Sequence, residues 1–293
     1  MTEWYHRRTT LARDGWETVV DDSLPGWRHT GLRVADLRTG ERTLDDPGVE
    51  RIVVPLDGPV TVEHGGGTTR LDGRAGVFSG PTDVLYLSAG ETARISGEAR
   101  VAVASAPTTE AHPTRRVRAD EVPVELRGAG VSSRQVQNLG TPDVLDAARL
   151  IVCEVITPAG NWSSYPPHKH DENVPGRETR LEEIYWFEVA PTRDSGVTEE
   201  GAFALFSTYS SPAGEIEVDA RVRTGDTVLV PYGWHGPAAA PPGADLYYLN
   251  VMAGPDPERR WLITDDPAHT GIRTQWETEA VDPRLPYGQK GRR

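Results

Sequence analysis

The chain has 293 residues, and its 31 Lys and Arg against 44 Asp and Glu give a formal net charge of −13 at pH 7. Because phosphate binding requires a basic surface, this balance argues against a nucleic-acid partner. The sequence has no apolar run near the ~20 residues of a membrane-spanning helix and no signal-peptide core at its N-terminus, so we expect no membrane partner and a cytoplasmic protein.

The apolar residues occur in many short runs that glycine and proline interrupt. The chain contains 30 Gly and 24 Pro, and few of its runs have helical periodicity. This pattern predicts an all-β architecture with few short helices. Since single cores stop growing near ~250 to 300 residues, the length allows one large domain or two.

The first half contains a series of strand-like runs. These lie at residues 51–63, 76–87, 93–96 and 99–104, with Gly and Pro turns between them. The series predicts a barrel over residues 1–110. Its histidines, such as His29 and His64, are scattered along the chain, so we expect this barrel to bind no metal.

A connector over residues 111–145 is rich in Pro, Thr, Gly and charged residues, and a second barrel is predicted over 146–280, with a tail at 281–293. The second barrel begins with the apolar run 150–156, which contains the single cysteine, Cys153. One cysteine excludes an internal disulfide and is typical of a reducing compartment. We expect Cys153 to be a small buried hydrophobe rather than a nucleophile.

The most informative motif is His168-Lys169-His170. Side chains alternate along a strand, so His168 and His170 point to one face and can bind one ion, while Lys169 points to the other. A lone pair of this kind is weak evidence, but a third histidine, His235, follows the run 227–230 and a Pro-x-Gly turn. Three imidazoles in such a pattern are typical of a metal site.

A carboxylate can complete the set. Residues 171–182, which include Pro175-Gly176, are predicted to form a loop over the entrance to the metal site, where it could act as a lid. The following strand places Glu183, Tyr185 and Phe187 on its more apolar face, so Glu183 is the predicted ligand; Glu182, on the opposite face, is the alternative.

These motifs resemble the cupin pattern, in which His-x-His and Glu form a first motif and Gly, Pro-x-Gly and His form a second. Residues 225–235 match the second motif closely, whereas twelve residues separate His170 from Glu183, more than most cupins have. The resemblance implies two tandem cupin barrels, each a double-stranded β-helix or jelly roll. It also implies one divalent metal ion per chain, with Zn, Mn and Fe all compatible with the ligands.

Longer strings are similar to the 5-deoxy-glucuronate isomerases of myo-inositol catabolism. They lie at residues 161–171, 181–185, 230–237 and 247–254, with fainter similarity at 77–87 and 261–273. This resemblance implies a metal-dependent aldose-ketose isomerase that converts 5-deoxy-D-glucuronate to 5-dehydro-2-deoxy-D-gluconate. The expected partner is a small uronate, and a homo-oligomer is expected.

The reaction needs a general base if it passes through an enediol. Candidates are Glu182, Glu154 and Tyr248; because Tyr247 and Tyr248 alternate on a strand, only one of them can point into the barrel.

The substrate carboxylate needs a cation, which in this chain is almost always arginine. Arg177 and Arg180 of the loop are the first candidates, with Lys169 and Trp234 as further substrate contacts. Arg134 and Arg259 are the alternatives if the loop is only a cover.

Two other functions fit the same ligand set. One is a cupin dioxygenase that uses Fe(II) and O₂, and the other is a sugar-binding cupin without catalysis. A sister family, which isomerises the deoxy-hexosulose uronate of pectin breakdown, leaves the substrate open.

Overall fold

The computed structural model describes residues 3–256 and 258–288, and nearly all of their regular structure is β-strand. Within these residues, helix is limited to three single 3₁₀ turns, at Leu37–Thr39, Val77–Ser79 and Gly130–Ser132, and one short α-helix, α1, at Ile272–Trp276. The prediction of an all-β fold with few short helices is confirmed.

The strands of the first half are β1 Tyr5–His6, β2 Thr18–Val20, β3 Gly31–Asp36, β4 Arg42–Leu44, β5 Val49–Asp57, β6 Val60–His64, β7 Gly67–Leu71, β8 Val84–Leu87, β9 Ala93–Gly97, β10 Arg100–Pro107, β11 Arg115–Val117. Those of the second half are β12 Val124–Arg127, β13 Arg134–Gln137, β14 Ile151–Thr157, β15 Trp162–Ser163, β16 His168–Lys169, β17 Glu182–Pro191, β18 Ala204–Ser211, β19 Gly214–Val222, β20 Thr227–Val230, β21 Trp234–Ala239, β22 Ala244–Ala253, β23 Thr264–Asp265.

The strands form four antiparallel sheets, two in each half. In the second half, sheet I has the order β1-β20-β17-β22-β14-β13-β12, and sheet III has the order β19-β18-β21-β16-β23 with β15 paired to β21. In the first half, sheet II has the order β11-β8-β5-β10-β3-β2, and sheet IV has the order β4-β9-β6-β7. Neighbours in a sheet are mostly distant in sequence, as jelly-roll barrels require.

Three apolar cores join these sheets into a four-layer stack. One core fills the first barrel between sheets II and IV, another fills the second barrel between sheets I and III, and the largest lies where sheets I and II pack back to back. The central strands of sheet I are therefore buried on both faces, which explains why β14, β17 and β22 are nearly continuous apolar runs.

Strand β17 shows how one sequence serves two cores. Tyr185 and Phe187 pack inside the second barrel, whereas Ile184 and Trp186 pack in the core between the barrels. This is the predicted alternation, and it places Glu183 on the barrel-interior face.

Segments near the expected domain limits contact both halves. Strand β1 pairs with β20 of the second half, and within the connector β11 joins sheet II while β12 joins sheet I. In the tail, Leu285 is buried and Tyr287 packs against the central core, while residues 289–293 lie outside the described part of the chain. Because these segments contact both halves, the contacts do not assign them to one barrel, and the predicted limits at 110, 145 and 280 stay a proposal.

Buried glutamates connect the halves. Glu50 of the first half accepts hydrogen bonds from the backbone N–H groups of Ala148, Arg149 and Leu150. In the reverse direction, Glu154 on β14 forms a bidentate ion pair with Arg74 of the first half, one contact being 2.9 Å, and accepts a hydrogen bond from Tyr247.

We expect Arg74→Met to lower the free energy of unfolding by about 3 to 5 kcal/mol, because the substitution leaves the Glu154 carboxylate buried without its partner. Arg94→Met is a matched control, since Arg94 forms an exposed ion pair with Glu63 and such pairs contribute little. Chemical denaturation of both variants checks the prediction. Equal stabilities of the two variants would contradict it.

Candidate metal centre

Three imidazoles converge at one end of the second barrel. His168 lies on β16, His170 follows it, and His235 lies on β21 directly opposite His168 in the strand register. The three residues offer ring nitrogens that all lie within 4.8 Å of one another. His170 and His235 are buried, whereas His168 is half-buried on the side of a cavity.

The backbone sets the tautomer of each ring. Nδ1 of His168 lies 3.2 Å from the carbonyl oxygen of Pro166, and Nδ1 of His170 lies 3.1 Å from that of Leu181. Nδ1 of His235 lies 3.1 Å from the carbonyl oxygen of Gly233. A carbonyl oxygen can only accept, so each Nδ1 carries the proton and each Nε2 keeps a lone pair. This arrangement is typical of metal-binding histidines.

Glu183 completes the group. Its Oε2 lies 2.9 Å from Nε2 of His170 and 3.1 Å from Nε2 of His235. Burial opposes its charge, but the two histidines outweigh burial and lower the pKa of the Glu183 carboxyl. The pKa of His168 is lowered because the ring is desolvated beside two other imidazoles.

The residues fit a divalent cation. Nε2 of His235 is buried and, despite its short distance to Glu183, has no hydrogen-bond partner of acceptable geometry among the described residues. An unsatisfied buried nitrogen is costly, and three converging lone pairs beside a carboxylate form an acceptor set that a metal ion satisfies. Nitrogen and oxygen donors of this kind suit Zn, Mn or Fe.

Lys169 does not reach this cavity. Its Nζ donates hydrogen bonds to three carboxylates on the opposite face of β16: Asp171 at 2.6 Å, Glu172 at 2.6 Å and Glu178 at 2.8 Å. Burial would lower the pKa of Lys169, but these carboxylates raise it. The structure therefore places Lys169 away from the cavity where the sequence predicts a substrate contact, with its charge already compensated inside the protein.

The lysine cluster also joins the two motifs. Asp171 accepts a hydrogen bond of 2.9 Å from the backbone N–H of Gly233, two residues before His235. A single carboxylate thus ties the His168–His170 segment to the turn that carries the third imidazole.

A small cavity opens beside the imidazoles. Its lining is mostly aromatic, apolar and basic: Arg127, Arg134, Val136, Val155, Ser164, Tyr165, Pro166, His168, Glu183, Tyr185, Tyr248, Asn250, Trp261, Ile263, Arg273. Tyr248 points into it from β22, whereas Tyr247 faces Glu154 on the other side of the sheet. Burial raises the pKa of Tyr248, so its hydroxyl is protonated and can donate a hydrogen bond.

A larger cavity in the first half lacks comparable chemistry. Its volume is about 240 Å³ against about 60 Å³ for the cavity at the imidazoles, and its charged lining includes Arg33 and Arg51 but no histidine among the described residues. Arg51 already donates to the carbonyl oxygens of Val49 and Glu91.

Two predicted catalytic glutamates lie elsewhere. The Glu182 carboxylate accepts hydrogen bonds from the backbone N–H groups of residues 28–30 in the first half, the shortest being 2.6 Å. Glu154 is bound to Arg74 and Tyr247 between the barrels. Both side chains leave sheet I on the face away from the cavity, so the structure brings neither predicted general base to the imidazoles and favours Glu183 over Glu182 as the ligand.

The loop before β17 does not bring its two arginines to the cavity. Arg177 is exposed, Arg180 pairs with Asp256 at 3.5 Å, and neither lines the cavity. Trp234 packs against Tyr209, with ring centroids 6.5 Å apart, and is likewise outside the lining. The structure therefore does not bring Arg177, Arg180 or Trp234 to the cavity lining, and the role of the loop as a lid stays a prediction.

Residues 261–273, and not the loop 171–182, line this side of the cavity. Strand β23 pairs with β16, which brings Trp261, Ile263 and Arg273 to the cavity. Sequence reasoning missed these residues, although the faint family similarity over 261–273 was a signal. It also missed Tyr165, whose hydroxyl lies 3.3 Å from Nδ1 of His269. Arg259, an alternative for the substrate carboxylate, instead donates to three backbone carbonyls.

Comparison with known proteins places the chain among related sequences. The family model "KduI/IolB family" matches residues 4–272. A 5-deoxy-glucuronate isomerase of Geobacillus kaustophilus is 37% identical over 264 residues, covering 87% of this chain and 89% of the relative. One of Bacillus subtilis strain 168 is 35% identical over 246 residues, covering 82% and 86%.

Solved structures agree. The crystal structure of an IolB-like protein from Salmonella typhimurium is similar with a TM-score of 0.82 and 33% identity, covering 92% of this chain and 99% of that one. An oxalate decarboxylase of Lactobacillus farciminis, at 11% identity, has a TM-score of 0.62 over 90% of this chain and 89% of its own, which shows a shared cupin fold. No helix within the described residues is long and apolar enough to cross a membrane. The match to the family model over most of the chain, together with these relatives, shows that the protein belongs to the KduI/IolB family.

Proposed function

We propose that the protein is a 5-deoxy-glucuronate isomerase, which converts 5-deoxy-D-glucuronate to 5-dehydro-2-deoxy-D-gluconate in myo-inositol catabolism. The observation that carries this proposal is the group of three converging imidazoles, two of which place Nε2 beside the Glu183 carboxylate, next to a cavity lined by arginines and tyrosines. Relatives that bear this name align with most of the chain.

The metal would be held by His168, His170, Glu183 and His235, one divalent ion per chain. A metal bound there supplies Lewis acidity to the carbonyl oxygen and the neighbouring hydroxyl oxygen of a sugar. The chain contributes pre-oriented donors, since the carbonyl oxygens of Pro166, Leu181 and Gly233 fix the rings before binding.

The isomerisation moves one hydrogen from C2 to C1 and one hydroxyl proton from O2 to O1, so it needs no external oxidant. We propose that Tyr248 donates a hydrogen bond to a substrate oxygen, because its protonated hydroxyl lies in the cavity lining. Its role is then to orient substrate and stabilise developing negative charge rather than to act as the base.

We propose that the first barrel is a scaffold that binds no metal. The proposed domain limits are 1–110 for this barrel, 111–145 for the connector, 146–280 for the second barrel and 281–293 for the tail. Glu50 of this barrel accepts a hydrogen bond from the backbone N–H of Arg149, and the backbone N–H of His29 donates to Glu182. These contacts support the sheet that carries Glu183. We further propose that the enzyme is a cytoplasmic homo-oligomer, which cell fractionation and light scattering test.

The function is tested by incubating metal-reconstituted protein anaerobically with 5-deoxy-D-glucuronate and, separately, with the deoxy-hexosulose uronate of pectin breakdown. We expect ketose product from the first substrate without O₂. Turnover that requires O₂ would replace the proposal with a dioxygenase, and binding without conversion would replace it with a sugar-binding cupin.

We expect His170→Ala and His235→Ala to reduce bound metal from about one ion per chain to nearly none and to abolish turnover, while the apolar cores keep both barrels folded. Elemental analysis and circular dichroism check this outcome. Full metal retention in either variant would refute the ligand assignment.

Glu183→Gln and Glu182→Gln form a matched pair on adjacent positions of β17. We expect Glu183→Gln to lose metal and activity. We expect Glu182→Gln to keep its metal but to be less stable, because the Glu182 carboxylate accepts hydrogen bonds from the backbone N–H groups of residues 28–30. Metal content and melting temperature separate the two effects. Greater metal loss in Glu182→Gln would contradict the assignment.

Tyr248→Phe is expected to lower kcat/KM by about 10- to 150-fold, the loss of one hydrogen bond to a group that develops negative charge. Tyr247→Phe is the control, since Tyr247 faces Glu154 away from the cavity and its loss affects stability instead. Steady-state kinetics on both variants provide the measurement, and equal kinetic effects would contradict the proposed role of Tyr248.

A further inference from the structure

The proposed substrate places two requirements on one cavity. Its reacting carbons, C1 and C2, lie at one end of a six-carbon chain, and its carboxylate lies at the other. The cavity therefore needs a cation away from the imidazoles. The need for this cation rests on the proposed function.

Three arginines line the cavity, and two of them are already neutralised. Nε of Arg127 donates to Glu125 at 2.7 Å, and Arg273 forms a bidentate pair with Asp265, one contact being 2.7 Å. The third, Arg134, forms no ion pair among the described residues.

Arg134 makes one hydrogen bond to protein in the described part of the chain, from Nη1 to the carbonyl oxygen of Ser132 at 3.2 Å. A guanidinium carries five N–H donors, so most of this donor capacity remains for a ligand. The side chain is half-buried, and its burial lowers its pKa to about 10. A desolvated cation without a counter-ion is costly, and a bound anion would offset that cost.

The local structure holds the guanidinium in place. Strand β13 carries Arg134, and the turn before it contains Gly128, where a Cβ atom would lie 2.8 Å from Nη1 of Arg134. The Trp276 ring covers the guanidinium at 5.4 Å. The arginine is thus packed by a turn on one side and an indole on another, which limits the entropy lost when a ligand binds.

We propose that Arg134, the cavity arginine without a carboxylate partner among the described residues, binds the carboxylate of the uronate substrate. A guanidinium presents a planar fork that matches a carboxylate in two hydrogen bonds. Arg134 thereby selects uronates over neutral sugars and sets which end of the chain reaches the imidazoles.

The first test measures binding, which does not depend on turnover. Metal-loaded protein is titrated calorimetrically with D-glucuronate and with uncharged D-glucose. Arg134→Met is expected to weaken D-glucuronate binding by about 10- to 150-fold and to change D-glucose binding by less than about two-fold. Arg134→Lys is expected to recover only part of the loss, because a point charge lacks the fork.

Arg177→Met serves as a matched control because Arg177 is exposed and outside the cavity lining. It is expected to bind both sugars as the wild type does. Melting temperature and metal content of Arg134→Met should equal or exceed the wild-type values, since the substitution removes an uncompensated cation. Wild-type affinity for D-glucuronate in Arg134→Met, or equal losses for both sugars, would overturn the proposal.

The second test uses kinetics with 5-deoxy-D-glucuronate and its uncharged analogue 5-deoxy-D-glucose. The wild type should prefer the uronate, and Arg134→Met should lose most of that preference. If the wild type converts neither compound but binds D-glucuronate through Arg134, the isomerase proposal fails while the carboxylate site stands. An unchanged preference in Arg134→Met would overturn the carboxylate site.

Discussion

The site depends on an electrostatic requirement at one end of the second barrel. Three imidazoles converge with their Nδ1 protons held by backbone carbonyls, and two of them, His170 and His235, place Nε2 beside the buried Glu183 carboxylate. Such an assembly of acceptors is unfavourable without a cation. The fold holds these groups rigidly, so a binding ion meets donors that are already oriented. The proposed chemistry needs this pre-organisation, because the ligands must stay in place while substrate enters.

The rest of the architecture supports that assembly. Strand register sets His168 opposite His235, and Asp171 ties the first motif to the turn at Gly233. Behind them, sheet I is supported by the first barrel through a large apolar core and buried glutamates such as Glu154. The first barrel thus contributes to the site through packing. The C-terminal segment then closes the cavity from sheet III and brings in Arg273.

Local patterns predict the fold and the imidazole group, and they fail for long-range partners. The period of two placed Glu183 inside the barrel because alternation is a local property. The same reasoning could not show that Glu182 meets the N–H groups of residues 28–30. The carboxylates around Lys169 are close to it in sequence, at Asp171, Glu172 and Glu178, but the sequence pattern does not show that they turn toward it. Arg134 appeared only as an alternative, since nothing local marks a cation that lacks a partner. Contacts that form only in the folded chain, near or distant in sequence, decide which charged side chains remain available for substrate.

The most direct test of this account is X-ray absorption on the zinc-loaded protein. Three imidazole nitrogens and a carboxylate oxygen are expected as protein ligands, at distances of about 2.0 to 2.2 Å, with no sulfur. Cys153, the single cysteine, is buried in the apolar core of the second barrel. Sulfur bound to the ion would therefore mean that the ion lies in that core and not among the imidazoles. A sulfur shell, or fewer than three imidazoles, would contradict the central claim that His168, His170, His235 and Glu183 hold one ion.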